Sequence, residues 1–259
     1  MYIFWWILLL MLRAEAQILT ENAGTVSPES PSLRQLIQVN RSQGLDEVRV
    51  TTQGAFSWEA GEELRVSLPY TFRSGSGLGD ASLRYKKLLL KEDEVMASER
   101  LSLLAELMVP SGRSDVAGLP RELQNGMGSW QLGVGLAYTQ IQDRHRRALE
   151  VVFRQPLNGP IPQQLDANLA YWYRLTPAQF SDEPEVELRG VIELITQHRF
   201  GGQLPAMRGS LVWLAPGLQI YASPEVQFEV GLQIPIAQSV GDALGRRNTG
   251  GLFSMKLAF

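Results

Sequence analysis

Apolar and polar residues alternate with period two over unusually long runs, and this constrains the fold more than any other feature of the chain. In Val226 to Ile236, one face holds Val226, Phe228, Val230, Leu232, Ile234 and Ile236, and the other holds Gln227, Glu229, Gly231, Gln233 and Pro235. Trp130, Leu132, Val134, Leu136 and Tyr138 alternate with Gln131, Gly133, Gly135, Ala137 and Thr139. Leu64, Val66, Leu68, Tyr70 and Phe72 face away from Glu63, Arg65, Ser67 and Thr71. Further runs lie near 48–58, 81–90, 100–109, 147–155, 164–175, 185–199, 209–222 and 251–259. Most are about ten residues long, the length a tilted strand needs to cross a bilayer.

A β-sandwich core also alternates, but soluble strands average roughly five or six residues. The aromatic residues Trp58, Tyr70, Phe72, Trp130, Tyr138, Phe253 and Phe259 stand towards strand ends on the apolar faces. Membrane-interface girdles occupy that position. The pattern therefore predicts an all-β fold, an antiparallel transmembrane β-barrel over residues 33–259. A composition of 44% hydrophobic and 20% charged residues does not oppose this, because the two faces of a barrel strand cancel in any average.

The N-terminus predicts export. Tyr2 to Leu12 is almost continuously apolar, and Ala14-Glu15-Ala16 supplies small residues in A-x-A spacing. This reads as a signal peptide over 1–16 with cleavage before Gln17, although no Lys or Arg precedes the apolar stretch. An uncleaved anchor beginning at Tyr2 is the other reading. Residues 17–32, with Ser-Pro-Glu-Ser-Pro, read as a flexible periplasmic segment.

Link lengths orient the barrel. Walking back from Phe259, the links at 237–250, 201–208, 156–163, 111–128 and 73–80 are long, whereas 223–225, 142–146 and 59–62 are short and 176–184 and 91–99 intermediate. Outer-membrane barrels have short periplasmic turns and longer outer loops, so both termini are expected in the periplasm. An even strand number then requires an ascending first strand, for which Leu33 to Arg41 is the candidate, giving about twelve strands. The alternating Phe253, Met255, Leu257 and Phe259 resemble the terminal signal read by the bacterial barrel-assembly machinery, an expected partner beside the lipid bilayer.

Several segments resemble the outer-membrane transporter family associated with the meta-pathway of phenol degradation. They are Leu68-Pro69-Tyr70, Gly77-Leu78-Gly79-Asp80 continued by Leu83, Tyr85 and Lys86, Val109-Pro110-Ser111-Gly112, the Gly-rich strand from Trp130 to Tyr138, and the C-terminal strands. The resemblance spans roughly residues 45–259. It implies a barrel of this size that moves small molecules, hydrophobic or aromatic ones among them.

With the apolar faces on lipid, the lumen is expected to receive Arg49, Arg65, Arg84, Lys86, Arg154, Arg174, Arg189 and Lys256, facing Glu63, Asp80, Glu106, Glu150, Asp166, Glu187, Glu193 and Glu229. A charge on the lipid face costs roughly 2–4 kcal/mol at mid-depth, so this segregation supports the assignment. Lys87 is the exception. Such a lining either pairs into a network that stiffens the wall or defines a polar path. Gly133, Gly135, Ala137 and Gly231 leave room for a path, or for Trp172 and Trp213 to pack inward.

Other chemistries find little support. A chain without cysteine excludes disulfides and thiol catalysis, and a net charge of −3 without basic clusters points away from nucleic acid. His145 and His198, the two histidines, show no pairing motif that a hydrolase requires. Gly75-Ser76-Gly77-Leu78-Gly79 lacks the Lys of a phosphate loop. No catalytic residue, cofactor or metal is expected. The sequence thus points to a channel for an unknown small-molecule solute. A closed structural or interaction barrel acting through its outer loops is the alternative, and an outer-membrane hydrolase the third.

Overall fold

The computed structural model describes residues 20, 23–25, 28, 30–42, 45–72, 76–114, 124–177, 186–241 and 247–259, with the backbone alone at 41, 42, 45 and 46. The expected signal peptide and its cleavage point lie outside the described residues.

The chain forms one closed antiparallel β-barrel. Its strands are β1 (Ser32–Ser42), β2 (Leu45–Phe56), β3 (Glu62–Phe72), the two-residue β4 (Gly77–Leu78), β5 (Ala81–Glu94), β6 (Ala97–Val109), β7 (Gln131–Gln142), β8 (His145–Pro156), β9 (Gln163–Thr176), β10 (Glu187–Phe200), β11 (Gly209–Ser223), β12 (Val226–Val240) and β13 (Gly250–Ala258). Without β4, which only extends the β3 edge, twelve strands make the wall. Consecutive strands pair, and β1 closes on β13 with Leu33 opposite Leu257 and Val39 opposite Gly251. Closure matters because a bilayer offers no water to satisfy a free strand edge.

The expected twelfth strand, Leu33 to Arg41, is β1. Because the number of wall strands is even, Ser32 and Ala258 stand opposite each other at the same end. That end also carries the links 57–61, 95–96, 143–144, 177–186 and 224–225, and is called the turn end here. The loop end carries 73–80, 110–130, 157–162, 201–208 and 241–249, with the short β1–β2 link beside them. Two turn residues, Met96 and Asp143, take positive φ of 62° and 51°, as two-residue hairpin turns require.

Burial is inverted relative to a soluble protein. Leu132, Val134 and Leu136 on β7 are 48%, 55% and 48% exposed, and Leu169, Ile192, Val230, Leu232 and Phe253 are exposed on the same outer surface. Lys86, Glu193 and Glu229 are 2% or less exposed, inside the barrel. Soluble monomers rarely expose apolar patches beyond a few hundred Å². An apolar exterior around a charged interior fits a lipid solvent.

Aromatic contacts mark both rims. At the turn end Trp58 stacks on Tyr85 with ring centroids 6.0 Å apart, next to Phe56. At the loop end Tyr70 packs on Phe72 at 4.7 Å. Lys87, the exception to the charge pattern, lies beside the Trp58–Tyr85 pair and bonds Glu62 at 3.1 Å. Its charge is met at the rim rather than left in lipid.

Candidate functional site

The lumen is built from every second residue of each strand, and the described residues enclose a cavity towards each end of it. The loop-end cavity has a volume of about 510 Å³ and the turn-end cavity about 430 Å³. Arg49, Arg65, Arg84, Glu106, Glu150, Arg154 and Asp166 line the first, and Arg174, Glu187 and Arg189 line the second. Lys86, Glu193, Glu229 and Lys256 are buried in the wall between or beside them.

The charges pair both across strands and between alternate residues of one strand. On the β5–β8 side, Arg84 meets Glu106 at 3.4 Å and Glu150 at 3.7 Å, while Arg154 reaches Glu106 at 2.9 Å and also holds Asp166. Glu63 takes Arg65 at 2.7 Å and Lys86 at 3.3 Å. Across the barrel, Glu229 accepts from Arg34 at 2.9 Å and Gln219 at 2.7 Å. Near the turn end, Arg189 pairs with Glu187 at 2.5 Å and Arg174 with Asp143 at 3.5 Å. At the other end of the lumen Arg49 pairs with Glu47 at 3.1 Å. Pairing is what makes these charges tolerable where water is scarce.

Between these cavities the interior narrows. On β6, Ala97, Ser98 and Arg100 line the turn-end cavity and Glu106 and Met108 the loop-end one. Ser102 and Leu104 between them are fully buried. The cover is the N-terminal segment. Ala23 N–H donates to Thr139 Oγ1 at 3.0 Å, Ser102 Oγ donates to the Ala23 carbonyl at 2.5 Å, and Thr20 N–H donates to Glu193 Oε1 at 3.1 Å. Ala23 also packs in an apolar cluster with Leu104, Ala137 and Val152. This corrects the expectation of a free periplasmic segment over 17–32 at Thr20, Ala23 and Gly24, which are buried in the lumen, while Pro28 and Pro31 are exposed and 17–19, 21, 22, 26, 27 and 29 lie outside the described residues. A segment poor in apolar residues builds no core of its own, yet its small residues and backbone fit a lumen already lined with hydrogen-bonding groups.

Gly133 and Gly135 mark close approach of neighbouring groups rather than free space. A Cβ on Gly135 would lie 2.3 Å from the Val151 carbonyl, and one on Gly133 3.1 Å from Glu106 Cβ. These glycines let neighbouring groups close in, and Ala137 is covered by Ala23. Trp172 does pack inward, within a cluster of Leu36, Ala148, Ala170, Val191 and Leu252, with the Arg146 guanidinium 5.1 Å from its ring.

At the loop end, the two Gly-rich motifs meet. Asp80 accepts from Gly112 N–H at 3.0 Å and Met127 N–H at 2.6 Å, while Ser111 Oγ donates to the Gly79 carbonyl at 3.1 Å. Burial pushes the Asp80 carboxyl up, against the pull of the Met127 and Gly112 amides. A Cβ on Gly126 would lie 2.5 Å from the Gly112 carbonyl oxygen, so the crossing needs glycine.

The histidines stand apart from these features. His145 opens β8 at the turn-end cavity and bonds the Tyr171 hydroxyl at 2.6 Å. His198, exposed on the outer face, bonds Ser210 Oγ at 2.6 Å and stacks on Phe200. At β13, Phe253 and Phe259 are exposed, Met255 is half-buried and Leu257 is buried. The Phe259 N–H donates to the Pro31 carbonyl at 2.9 Å, tying the last residue to the start of β1.

Sequence reasoning missed Arg34, Arg199 and Arg247, which also line the loop-end cavity. Counting by twos from Glu193 reaches Ile195, Gln197 and Arg199, and Arg34 lies on the face opposite Leu33, Ile37 and Val39, so the parity was present for two of the three.

A crystal structure of the COG4313 outer membrane channel from Pseudomonas putida F1 superimposes on this barrel with a TM-score of 0.67, over 95% of this chain and 100% of that one, at 14% sequence identity. The fold is that of the outer-membrane barrels. The NanC porin is similar over 88% of this chain and 98% of its own, at a TM-score of 0.50 and 8% identity. No protein-family model matches the sequence, and no curated protein is similar to it.

Proposed function

We propose that this chain is a passive outer-membrane channel for small molecules, exported by a signal peptide over 1–16, with both termini periplasmic. The observation that carries it is a closed, lipid-compatible barrel whose charged lumen holds a cavity at each end. The long links gathered at one end support an outward-facing loop end. The terminal Phe253, Met255, Leu257 and Phe259 support delivery by the barrel-assembly machinery. The Gly77–Asp80 and Val109–Gly112 motifs, together with the likeness to the COG4313 channel, support kinship with the transporter family associated with phenol degradation.

A second reading, a closed barrel acting through its loops, is favoured by one observation: Thr20 and Ala23 fill the middle of the lumen. Enzymatic function has weaker support. His198 and Ser210 face the barrel exterior, and the partners of His198 among the described residues are Ser210 and Phe200, with no carboxylate to orient the ring. Liposome swelling separates these readings. The channel reading expects swelling in solutes of the size of short organic acids and sugars. Swelling no faster than in protein-free vesicles, from protein shown to be folded by heat-modifiable migration, would favour the closed barrel.

A further inference from the structure

The loop-end cavity carries one arginine set apart from the rest. Arg49 is matched by Glu47, and Arg154 by Glu106 and Asp166. Arg199, half-buried on the lumen face of β10, bonds only the neutral amide of Gln164, through Nε at 3.0 Å, and has no ion pair among the described residues. Its like-charged neighbours are Arg247, Arg154 and Arg49, opposed by Asp166. The oxygens of Asp166 are already held by Arg154 and Gln164. A positive field in an enclosed cavity concentrates anions. A guanidinium with free amino groups matches a carboxylate in shape as well as charge.

The wall below carries an apolar patch beside Gln197. Ile195 stands opposite Trp213 and Gln197 opposite Leu211, while Arg199 pairs with Gly209. Ile195, Leu211 and Trp213 face the same cavity. Two strand residues rise about 7 Å, so an apolar surface begins one to two lumen positions beneath the guanidinium.

We propose that this cavity binds small organic carboxylates with an apolar body, the carboxylate on Arg199 and the body against Ile195 and Trp213. This deepens the channel reading by naming its substrate class and rests on it for the solute's onward passage, but not for binding.

Isothermal titration of the full chain in detergent tests binding without requiring conduction. Benzoate is the probe, with benzamide, acetate and inorganic phosphate as comparisons. Benzoate is expected to bind saturably, and the other three at least about tenfold more weakly. Arg199→Gln should weaken benzoate at least about tenfold with heat-modifiable migration unchanged. Trp213→Ala should weaken benzoate and leave acetate as it was. If Arg199→Gln does not fold, Arg199→Lys, which keeps the charge but loses the fork, should give an intermediate affinity. Equal binding of benzoate and benzamide, binding of phosphate as tight as benzoate, or benzoate affinity unmoved by either Arg199 variant overturns the site. Saturable benzoate binding in a protein that passes no solute would support the site and sink the channel reading alone.

Discussion

At the residue scale, the interior is held by charges that share partners. Glu106 serves both Arg84 and Arg154. Exchanging it for Ala leaves Arg84 with Glu150 and Arg154 with Asp166, each short of one carboxylate, so the cost should fall below the roughly 3–5 kcal/mol of a buried pair broken outright. Urea unfolding in detergent should show that loss as a lower midpoint. Arg100→Ala should move it far less, because Arg100 meets the half-exposed Asp93 at 3.7 Å. The Asp80 clasp is a second case. Asp80→Ala removes the acceptor of two loop amides, costing about 1–3 kcal/mol locally. Limited proteolysis should then cut faster within 110–130, while the barrel band keeps its heat-modifiable migration.

At the element scale, strand positions were legible because alternation is local and records which solvent each side chain meets. The run read at 209–222 is Gly209–Ser223, and that read at 147–155 is His145–Pro156. The weakest run, Leu33 to Arg41, had to be placed by strand-number parity, and it forms the closing strand. What alternation could not show is what fills the lumen, because filling depends on contacts between residues far apart in sequence. Ala23 lies 116 residues from Thr139, and Thr20 173 from Glu193. Nothing in the segment's own composition marks it as an insert. Deleting residues 17–30 should therefore open the middle of the lumen, raising single-channel conductance several-fold with little loss of stability. An unchanged conductance would show that Thr20 and Ala23 do not limit flow. The C-terminal strand makes the opposite prediction. Phe259 anchors to Pro31, and its removal should lower the assembled fraction in the outer membrane while export continues. Normal assembly without Phe259 would count against its role as a signal.

At the scale of the whole molecule, the barrel reconciles features that conflict in a soluble protein. It has charged residues at its centre, leucines and valines on its surface, and no cysteine to secure an exported chain. Closure explains all three, since it satisfies every strand edge, gives lipid the apolar face and supplies stability without crosslinks. Which face met lipid was readable from the sequence, because a single charge on the wrong side is costly. Where the two cavities lie was not, because small residues such as Gly135 mark close approach of neighbouring groups rather than open space. The central claim is that solutes pass through this lumen. Planar-bilayer recording of refolded protein, shown to be a barrel by heat-modifiable migration, tests it most directly. Discrete current steps are predicted from the full chain, with larger ones from the variant lacking residues 17–30. Folded barrels of both kinds that insert and give no steps would contradict it.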